Sequence, residues 1–571
     1  MNNHIKIQAN TILCLSFISI GQVFGSVGSD DLQGIFSKQE VSVFQEGKEG
    51  LVISPISQRL SQLFSASVPY EKRRPVDKDV AEFYQRRNFQ PVWFGESSNE
   101  GAIKTAIDVL RQSDREGLEP SVYEPLIRVT EGVSPSSDLE QQVRAEIDMT
   151  RALLQYIDDV GGERLSPKRV SKKLFINPDP TDAVSILYQG VQQDPTMAWL
   201  QQYTIERPEY QKLKTELYRL RQEQASGGWA TVSKGPKLKI GMSGDRIKEL
   251  RQSLMQQGYE VGDTQDPHFD EALETSVKQY QENHGMEPDG VVGAETIDVI
   301  NIPIDQRIKH VVVSMERWRW FPKSMHNRYV IVNTAGYELR AYEDNHPALY
   351  MRVIVGQKMR QTPVFSSVIY SVRFNPSWGV PHMIAVQDKL KVIQKDPSYL
   401  VRKGFVVYDS NNERVSPDSV DWSSLSKDNF PYRLRQMPGT QNALGKIRFS
   451  ITSPFDVYLH DTAEPKLFQK AVRDFSSGCI RVEKPLDLGV FVFNNSGEWP
   501  REKIQQDMQG NQTRNIDLKD PVPVHIAYFT VWVDEQGATH FVSDVYGQDK
   551  AIEEALGQQR TARIKSNADI A

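Results

Sequence analysis

Residues 457–482 read VYLHDTAEPKLFQKAVRDFSSGCIRV and contain Cys479, one of two cysteines in the chain. The first residues alternate in the manner of a β-strand that ends on an imidazole, His460. A segment of helical character follows, and a turn of small residues then leads to the thiol. This order predicts a cysteine nucleophile beside a histidine base, because a thiol with a pKa of about 8.5 is only slightly ionised at neutral pH and needs a neighbouring base.

The second cysteine lies in an N-terminal segment that is typical of an export signal. A weakly basic start precedes an apolar run over residues 12–20 and then small residues. Because a membrane span needs roughly 20 apolar residues, we predict a signal peptide over residues 1–25, with an uncleaved anchor as the alternative. Cleavage would remove Cys14 and leave Cys479 alone, and a lone cysteine in an exported protein indicates intermolecular pairing or a reactive thiol.

Length and composition predict several globular domains. The chain has 571 residues, more than one hydrophobic core supports, and 39% of them are hydrophobic and 25% charged. The formal net charge of -6 gives no indication of a nucleic-acid partner. The histidines form no pair at metal-ligand spacing, so the sequence predicts neither a metal site nor a cofactor.

Polar and helical patterns occupy the first half of the chain. Residues 26–66 are rich in Ser, Gln and Gly, which predicts a flexible tether. Residues 67–230 carry helical periodicity, most clearly over residues 139–160, where apolar side chains form one stripe. We therefore predict a helical scaffold domain over residues 67–230.

Residues 236–303 predict a compact unit of three helices. Two amphipathic helices, at residues 245–257 and 270–283, precede the glycine-rich turn 289–293 and a third helix that begins at Ala294. An ordinary three-helix bundle fits the same pattern. The turn and the helix starts also resemble the peptidoglycan-binding module that accompanies many cell-wall enzymes, which implies that this unit binds glycan strands.

From Ile304 the hydrophobic period shifts towards two, which predicts a mainly β domain over residues 304–547. Short β-branched or aromatic runs carry the pattern at residues 329–333, 339–342, 351–355, 366–374, 447–451, 457–460 and 523–533. A segment rich in Trp, Pro, Lys and Asp interrupts them at about residues 376–437 and predicts an inserted capping subdomain that acts as a lid. Residues 548–571 are predicted as a helical or frayed tail, and the predicted fold class is multidomain α+β.

An acyl-transfer site also requires oxyanion donors and an acceptor that orients the imidazole. Main-chain N–H groups around Gly478 and Cys479 fit the first role, and Tyr458 can complete the hole. For the orienter we favour a backbone carbonyl over the Asp461 carboxylate, because consecutive strand residues point to opposite faces. Arg481 is placed to hold a substrate carboxylate, although a surface ion pair explains it almost equally well.

The motifs H-D-T at residues 460–462 and S-x-G-C-I-R-V at residues 476–482 resemble the active-site signature of L,D-transpeptidases with a YkuD-type catalytic domain. Further segments resemble the large YcbB-type subfamily of Gram-negative bacteria, at residues 315–320, 356–363, 375–381, 436–439 and 442–445. The helical region, the small module and the capping insert follow the order of that subfamily. The resemblance covers about residues 68–547.

This resemblance implies a cysteine acyltransferase that forms 3-3 cross-links in peptidoglycan. Cys479 would attack the carbonyl of meso-diaminopimelate in a tetrapeptide stem, release D-alanine and pass the acyl group to a second stem, with His460 as the base. Tyr458, Gly478 and Cys479 would line the oxyanion site. Many relatives have histidine where this chain has Ser477, which leaves His460 as the sole base.

The same resemblance implies a periplasmic location, with an inner-membrane anchor if the signal stays uncleaved. The implied partners are stem peptides, glycan strands and other cell-wall synthases, and the implied inhibitors are carbapenems that acylate the thiol.

Two alternatives stay open. Water could resolve the same thioester, which would make the protein an L,D-carboxypeptidase or a hydrolase that edits cross-links. In a different class of function, the protein is a non-catalytic scaffold that binds the cell wall through residues 236–303. The pairing of His460 with Cys479 argues against the scaffold.

Overall fold

The computed structural model describes residues 54–65, 75–95, 99–134, 136–494 and 497–570. The predicted signal peptide and most of the predicted tether lie outside these ranges. Within them, every helix is too short or too polar to cross a lipid bilayer.

The first part of the chain is a set of helices around a hydrophobic core of its own. The helices are α1 (Pro55–Ser65), α2 (Pro75–Arg86), α3 (Glu100–Arg111), α4 (Glu124–Glu131), α5 (Leu139–Gly161), α6 (Pro167–Val170), α7 (Ala183–Gln193) and α8 (Pro208–Ala225). The longest helix, α5, begins where the Asp138 carboxylate accepts a hydrogen bond from the main-chain N–H of Gln141, and it ends at Gly162 with a φ of 102°. Leu154 and Ile157 of its apolar stripe are fully buried, so the predicted helical scaffold is confirmed.

The small module has the three predicted helices, α9 (Asp245–Gln256), α10 (Glu271–Asn283) and α11 (Ala294–Ile300). Their apolar faces form a separate core around Leu250, Leu273 and Tyr280. The module contacts the rest of the molecule through His284, whose ring stacks on Phe541 with centroids 6.0 Å apart.

The prediction of a β pattern from Ile304 is wrong for the first sixteen residues, which form helix α12 (Ile304–Arg319). All seven residues from Val313 to Arg319 are buried, on every side of the helix. A helix that is covered all round has no single apolar stripe, so its period is hard to recognise in the sequence. Two of its buried charges pair with each other, Arg319 with Glu316 at 3.1 Å.

The second half of the chain is built on a sheet that closes on itself. The strands of the chain are β1 (Leu174–Phe175), β2 (Arg328–Asn333), β3 (Glu338–Glu343), β4 (His346–Ile354), β5 (Val364–Phe374), β6 (Trp378–Gly379), β7 (Phe405–Tyr408), β8 (Arg414–Val415), β9 (Arg433–Gln436), β10 (Ile447–Ile451), β11 (Leu459–His460), β12 (Ile480–Val482), β13 (Arg514–Ala527), β14 (Val531–Val533) and β15 (Thr539–Phe541). The main sheet has the order β1-β5-β10-β11-β12-β4-β3-β2-β13, and β13 also pairs with β5. Each predicted strand run overlaps a strand of this sheet or the β14–β15 hairpin.

The closed sheet encloses the largest hydrophobic core. Val372, Phe449, Leu459 and Ile480 are fully buried on its inner face. Because side chains alternate along a strand, the residues between them point outwards, and that outer face carries the polar side chains of the site described below. Edge strand β1 comes from the helical part of the chain and pairs in parallel with β5, which ties the two regions together.

The predicted insert lies between β5 and β10 and forms a small domain. It contains the antiparallel sheet β6-β9-β7-β8 and the short helices α13 (His382–Ile384), α14 (Leu390–Lys395) and α15 (Ser398–Arg402). Its own core includes Ile393, Phe405 and Trp422. The remaining helices are α16 (Pro485–Val492), α17 (Arg501–Gln509) and α18 (Gln548–Ile570).

The predicted tail is helix α18, which packs against the rest of the molecule. Asp549 at its start forms a 2.6 Å ion pair with Arg317 of α12, and Asn567 near its end donates a 2.7 Å hydrogen bond to the main-chain oxygen of Val122. Much of the anchoring is therefore polar, which explains why the apolar pattern of the segment is weak.

Candidate active site

The thiol and the imidazole lie at the ends of two neighbouring strands of the closed sheet. Strands β11 and β12 run parallel, with Leu459 opposite Ile480, and the main-chain N–H of Ile480 donates a 3.0 Å hydrogen bond to the oxygen of Tyr458. Leu459 and Ile480 face the core, so the side chains on either side of them face outwards. The outward side chains are those of Tyr458, His460, Cys479 and Arg481.

These four side chains line one cleft of about 560 Å³. The insert contributes Trp378, Tyr399 and Phe405 to the same cleft. The thiol is thus reached through a cleft between the closed sheet and the insert.

The segment between the two strands is not the helix that the sequence predicts. Over residues 461–479 the structure has one short 3-10 turn, Pro465–Gln469, and otherwise irregular backbone. The parallel pairing of β11 with β12, rather than a helical connection, therefore brings the thiol close to the imidazole.

His460 is buried and held in one orientation. Its Nδ1 lies 2.5 Å from the main-chain oxygen of Asp461, so Nδ1 carries the proton and Nε2 keeps a free lone pair. Burial and the nearby charge of Arg481 lower the pKa of His460 to about 3. The imidazole is neutral near pH 7 and can accept a proton.

The Asp461 carboxylate is not the orienter of His460, although the main-chain carbonyl of the same residue is. The carboxylate accepts hydrogen bonds from the main-chain N–H groups of Lys446 at 2.8 Å and Thr462 at 2.7 Å. It lies against Gly445, where φ is 60° and a Cβ would overlap the carboxylate. The side chain therefore fixes the end of the insert to the strand that carries the base.

Cys479 is a protonated, half-buried thiol. Its Sγ lies 3.6 Å from the main-chain oxygen of Asp456. Burial raises the pKa of Cys479, while the main-chain N–H and hydroxyl of Tyr458 and the charges of Arg448 and Arg481 act in the opposite direction. A neutral thiol beside a neutral imidazole indicates that the proton moves during attack, not before it.

The turn before the thiol requires glycine. Gly478 has a φ of 119°, its N–H donates to Ser476 Oγ at 3.0 Å, and its carbonyl accepts from Thr362 Oγ1 at 2.8 Å. Ser476 in turn donates to the main-chain oxygen of Cys479 at 2.6 Å. The Gly478 N–H is therefore occupied, which corrects its predicted place in the oxyanion hole and leaves Tyr458 and the Cys479 N–H as donors.

Three family models match the chain, and one of them contains this site. Residues 327–492 match the L,D-transpeptidase catalytic domain of the YkuD family. These residues are a YkuD L,D-transpeptidase domain. Residues 78–217 match a scaffold domain, and residues 243–300 match a "Putative peptidoglycan binding domain". The predicted kinds of domain, including the small module, are confirmed.

Individual relatives cover part of the chain. A "Putative L,D-transpeptidase" of Haemophilus influenzae is 34% identical over 242 residues, which are 42% of this chain and 48% of that protein. The chain thus spans about half the length of this curated relative. The solved L,D-transpeptidase from Mycobacterium smegmatis is 12% identical, with 35% of this chain and 58% of that chain covered and a TM-score of 0.17. An L,D-transpeptidase from Xylanimonas cellulosilytica is 13% identical, with 52% and 98% covered and a TM-score of 0.17.

In the YkuD domain, Ser477 connects the catalytic turn to the insert. Its Oγ accepts a 2.8 Å hydrogen bond from Arg360, whose guanidinium contacts both oxygens of Asp388 at 2.6 and 2.8 Å. Gln387 of the insert accepts a further hydrogen bond from Arg360 at 2.7 Å. The sequence did not reveal this link, because no local pattern pairs an arginine with a carboxylate 28 positions away.

Arg481 forms an ion pair, which was the alternative to the predicted contact with a substrate carboxylate. Its Nη1 lies 2.7 Å from Glu464 Oε2, and both residues line the cleft of the YkuD domain. Over the described ranges, no group of three or more His, Cys, Asp or Glu side chains is arranged to hold a metal ion.

Proposed function

We propose that this protein is a periplasmic peptidoglycan L,D-transpeptidase that forms 3-3 cross-links between meso-diaminopimelate residues. One observation carries the proposal: in a YkuD domain, Cys479, His460 and Tyr458 project from one face of two parallel strands into a shared cleft. A thiol, a neutral base and a hydroxyl donor are the groups that acyl transfer through a thioester requires.

The first half-reaction forms a thioester. Cys479 Sγ attacks the carbonyl carbon of diaminopimelate in a tetrapeptide stem, and His460 Nε2 takes the thiol proton. The negative oxygen of the tetrahedral intermediate accepts hydrogen bonds from the Cys479 N–H and the Tyr458 hydroxyl. The bond to D-alanine then breaks, and the imidazolium returns its proton to the leaving amine.

The second half-reaction transfers the acyl group. The side-chain amine of a second diaminopimelate attacks the thioester carbon, and His460 accepts the proton that this amine loses. The carbon–sulfur bond breaks, an amide forms, and the thiol is restored by that proton. His460 alone carries both proton transfers, since Ser477 offers no second imidazole.

The titration behaviour of the site supports this sequence. Burial raises the pKa of Tyr458, so its hydroxyl stays protonated and can donate to the oxyanion. The pKa of His460, about 3, keeps the imidazole unprotonated before attack. Neither group must first lose or gain a proton near neutral pH.

The rest of the chain supports a cell-wall substrate. The match of residues 243–300 to a peptidoglycan-binding domain is consistent with glycan strands as a partner, and the N-terminal signal pattern is consistent with the periplasm. The order of scaffold, module and catalytic domain with an insert supports the YcbB-type subfamily. Carbapenems, as acylating analogues of the stem, are expected to modify Cys479.

The decisive experiment incubates the purified protein with disaccharide tetrapeptides and identifies the products by mass spectrometry. We expect a dimer that has lost one D-alanine. Free tripeptide without dimer would instead indicate an L,D-carboxypeptidase, and unchanged substrate would indicate a non-catalytic wall-binding protein.

The matched control is Cys479→Ser. This variant should form neither dimer nor a carbapenem adduct, and its melting temperature should stay within a few degrees of the parent, because the side chain is half-buried and nearly isosteric. A large loss of stability would point to a structural cysteine.

A further inference from the structure

A row of basic side chains crosses the outer face of the closed sheet and includes the catalytic base. Arg373 of β5 lies opposite Arg448 of β10, Arg448 lies opposite His460 of β11, and His460 lies opposite Arg481 of β12. Residues in register on neighbouring strands are about 5 Å apart and point to the same face. Arg448 and Arg373 are therefore one and two strands from His460, on the side away from Arg481.

Two arginines in such direct opposition repel each other, and like charges that face each other across a sheet are destabilising. Burial and the charge of Arg373 lower the pKa of the Arg448 guanidinium. In the part of the chain that the structure describes, no carboxylate forms an ion pair with either side chain. Arg448 donates to Ser450 Oγ at 3.2 Å, and Arg373 donates to Asn515 Oδ1 at 3.3 Å.

The other two arginines at the site are compensated. Arg481 has Glu464 at 2.7 Å, and Arg360 has Asp388 at 2.6 Å. The Nε atom of Arg448, by contrast, is buried without a hydrogen-bond partner. The uncompensated positive charge is thus specific to one end of the row, on the two strands that follow the strand of His460.

From this geometry we infer that Arg373 and Arg448 form an anion-binding subsite that takes a carboxylate of a stem peptide. The inference rests on the proposed function, because it assigns a place to one group of that substrate. Guanidinium groups bind carboxylates through paired, charge-assisted hydrogen bonds, and a bound carboxylate removes the repulsion between the two cations.

The distance fits a peptide whose reacting carbonyl lies at Cys479. Between main chains, two strands separate β12 from Arg448 and three separate it from Arg373, which is about 10 and about 15 Å. The Arg448 side chain reaches back over Tyr458 and shortens its distance to the thiol. Because an extended chain advances about 3.5 Å per residue, the subsite accepts a carboxylate up to about four residues from the acylated carbon. The donor stem and the acceptor stem both carry such a group, and the experiment below separates them.

Arg448 also lies over the ring of Tyr458, with 4.9 Å between its guanidinium carbon and the ring centroid. A purely structural role for this contact predicts that removing Arg448 disturbs the thiol towards every reagent. An anion subsite predicts that only negatively charged reagents are affected.

The first test compares alkylation of Cys479 by iodoacetate and iodoacetamide in the full-length protein. The modified tryptic peptide, residues 474–481, separates this thiol from Cys14. In Arg373→Gln and in Arg448→Gln we expect the ratio of iodoacetate to iodoacetamide rates to fall about tenfold, the effect of one charge-assisted contact. The control Arg433→Gln removes an exposed arginine of the insert and should leave the ratio unchanged.

An unchanged ratio in both variants overturns the subsite. Equal slowing by both reagents also overturns it, in favour of the contact with Tyr458. Because neither reagent is a peptidoglycan fragment, this test gives a result even if the protein forms no cross-links, in which case the proposed function fails separately.

The second test identifies which stem supplies the carboxylate. Donor and acceptor tetrapeptides are amidated at one carboxylate at a time, and thioester formation and dimer yield are followed by mass spectrometry. If the donor occupies the subsite, Arg448→Gln slows thioester formation about tenfold with the free acid and leaves one amidated donor unaffected. If the acceptor occupies the subsite, Arg448→Gln leaves the rate of thioester formation unchanged and lowers the dimer yield. With one of the amidated acceptors, the dimer yield is then the same for Arg448→Gln and for the parent. Equal sensitivity of all amidated peptides contradicts the subsite.

Discussion

One main-chain carbonyl orients the imidazole of His460. His460 Nδ1 contacts the main-chain oxygen of Asp461, while the Asp461 carboxylate is engaged by two main-chain N–H groups. A main-chain carbonyl carries no charge, so it fixes the tautomer of the imidazole while raising its pKa less than a carboxylate would, and burial and the charge of Arg481 outweigh that effect. The orientation of this imidazole therefore depends on the position of the Asp461 main chain. A substitution of the Asp461 side chain changes that position only indirectly.

The substitution Asp461→Asn tests this arrangement. We expect the rate of thioester formation to stay within about tenfold of the parent, whereas loss of a carboxylate that orients a histidine can cost about 10⁴-fold. Stability should fall by about 1–3 kcal/mol, because the amide cannot accept from both N–H groups. His460→Gln is the control that should remove most activity, and a thousandfold loss in a folded Asp461→Asn variant would contradict the assignment.

The pH dependence of alkylation tests the protonation state of the thiol. Burial raises the pKa of Cys479, so at a given pH the folded protein holds less thiolate than an unfolded chain, whose thiol titrates at about 8.5. The rate with iodoacetamide should rise with an inflection above that of the protein in urea. His460, with a pKa of about 3, should add no inflection between pH 5 and pH 8. An inflection below pH 7 would instead indicate a preformed thiolate–imidazolium pair.

At the level of elements, the insert and the catalytic turn are joined by a few polar contacts. Arg360 binds Asp388 of the insert and Ser477 of the turn, and Asp461 holds the main-chain N–H of Lys446 where the insert returns to β10. The insert has a core of its own, so it can move as a unit about these contacts. The lid role remains a prediction, and the Arg360 contacts are where it can be tested.

We expect Arg360→Gln to lower kcat/KM for cross-linking about three- to tenfold, because the ion pair that positions the insert against the turn is only partly exposed. The change should appear mainly in KM, since the substitution leaves Cys479 and His460 in place. Arg402→Gln breaks a comparable 2.6 Å pair with Asp396 on the outer surface of the insert and serves as the control. Equal kinetics for the two variants would argue against the lid.

At the level of the whole molecule, α18 and α12 connect the helical region to the closed sheet. Asp549 of α18 pairs with the buried Arg317 of α12 and accepts a 2.8 Å hydrogen bond from the Thr530 hydroxyl. Further along, Arg563 pairs with Asp159 of the helical scaffold. One helix thus contacts both regions through buried charges, which are costly to leave without a partner.

Asp549→Asn should lower the free energy of unfolding by about 3 kcal/mol, because it leaves the buried Arg317 charge uncompensated. Urea unfolding measures the change. Glu554→Gln on the same helix removes an exposed partner of Lys550 and should alter stability by less than about 0.5 kcal/mol. If the two substitutions changed the free energy of unfolding equally, the contacts of α18 would contribute little to holding the helical region against the closed sheet.

The features that could be predicted from the sequence are those that local chemistry encodes. Period-two runs gave the strands of the sheet, amphipathic periods and turn glycines gave the helices of the scaffold and module, and the motifs around His460 and Cys479 gave the candidate nucleophile and base. These signals are readable because side-chain direction and turn conformation depend on residues close together in the chain.

Contacts between residues that are distant in the chain became known from the folded structure. The burial of α12 on all sides, the closure of the sheet through β5 and β13, the link from Arg360 to the insert and the opposition of Arg373 to Arg448 each join segments that are far apart in sequence. Register between strands fixes the closure of the sheet and the opposition of the two arginines, and register is set by packing of the whole sheet rather than by any one strand. Such contacts cannot be predicted from local patterns, because they form only when the hydrophobic core has packed and aligned the elements that carry them.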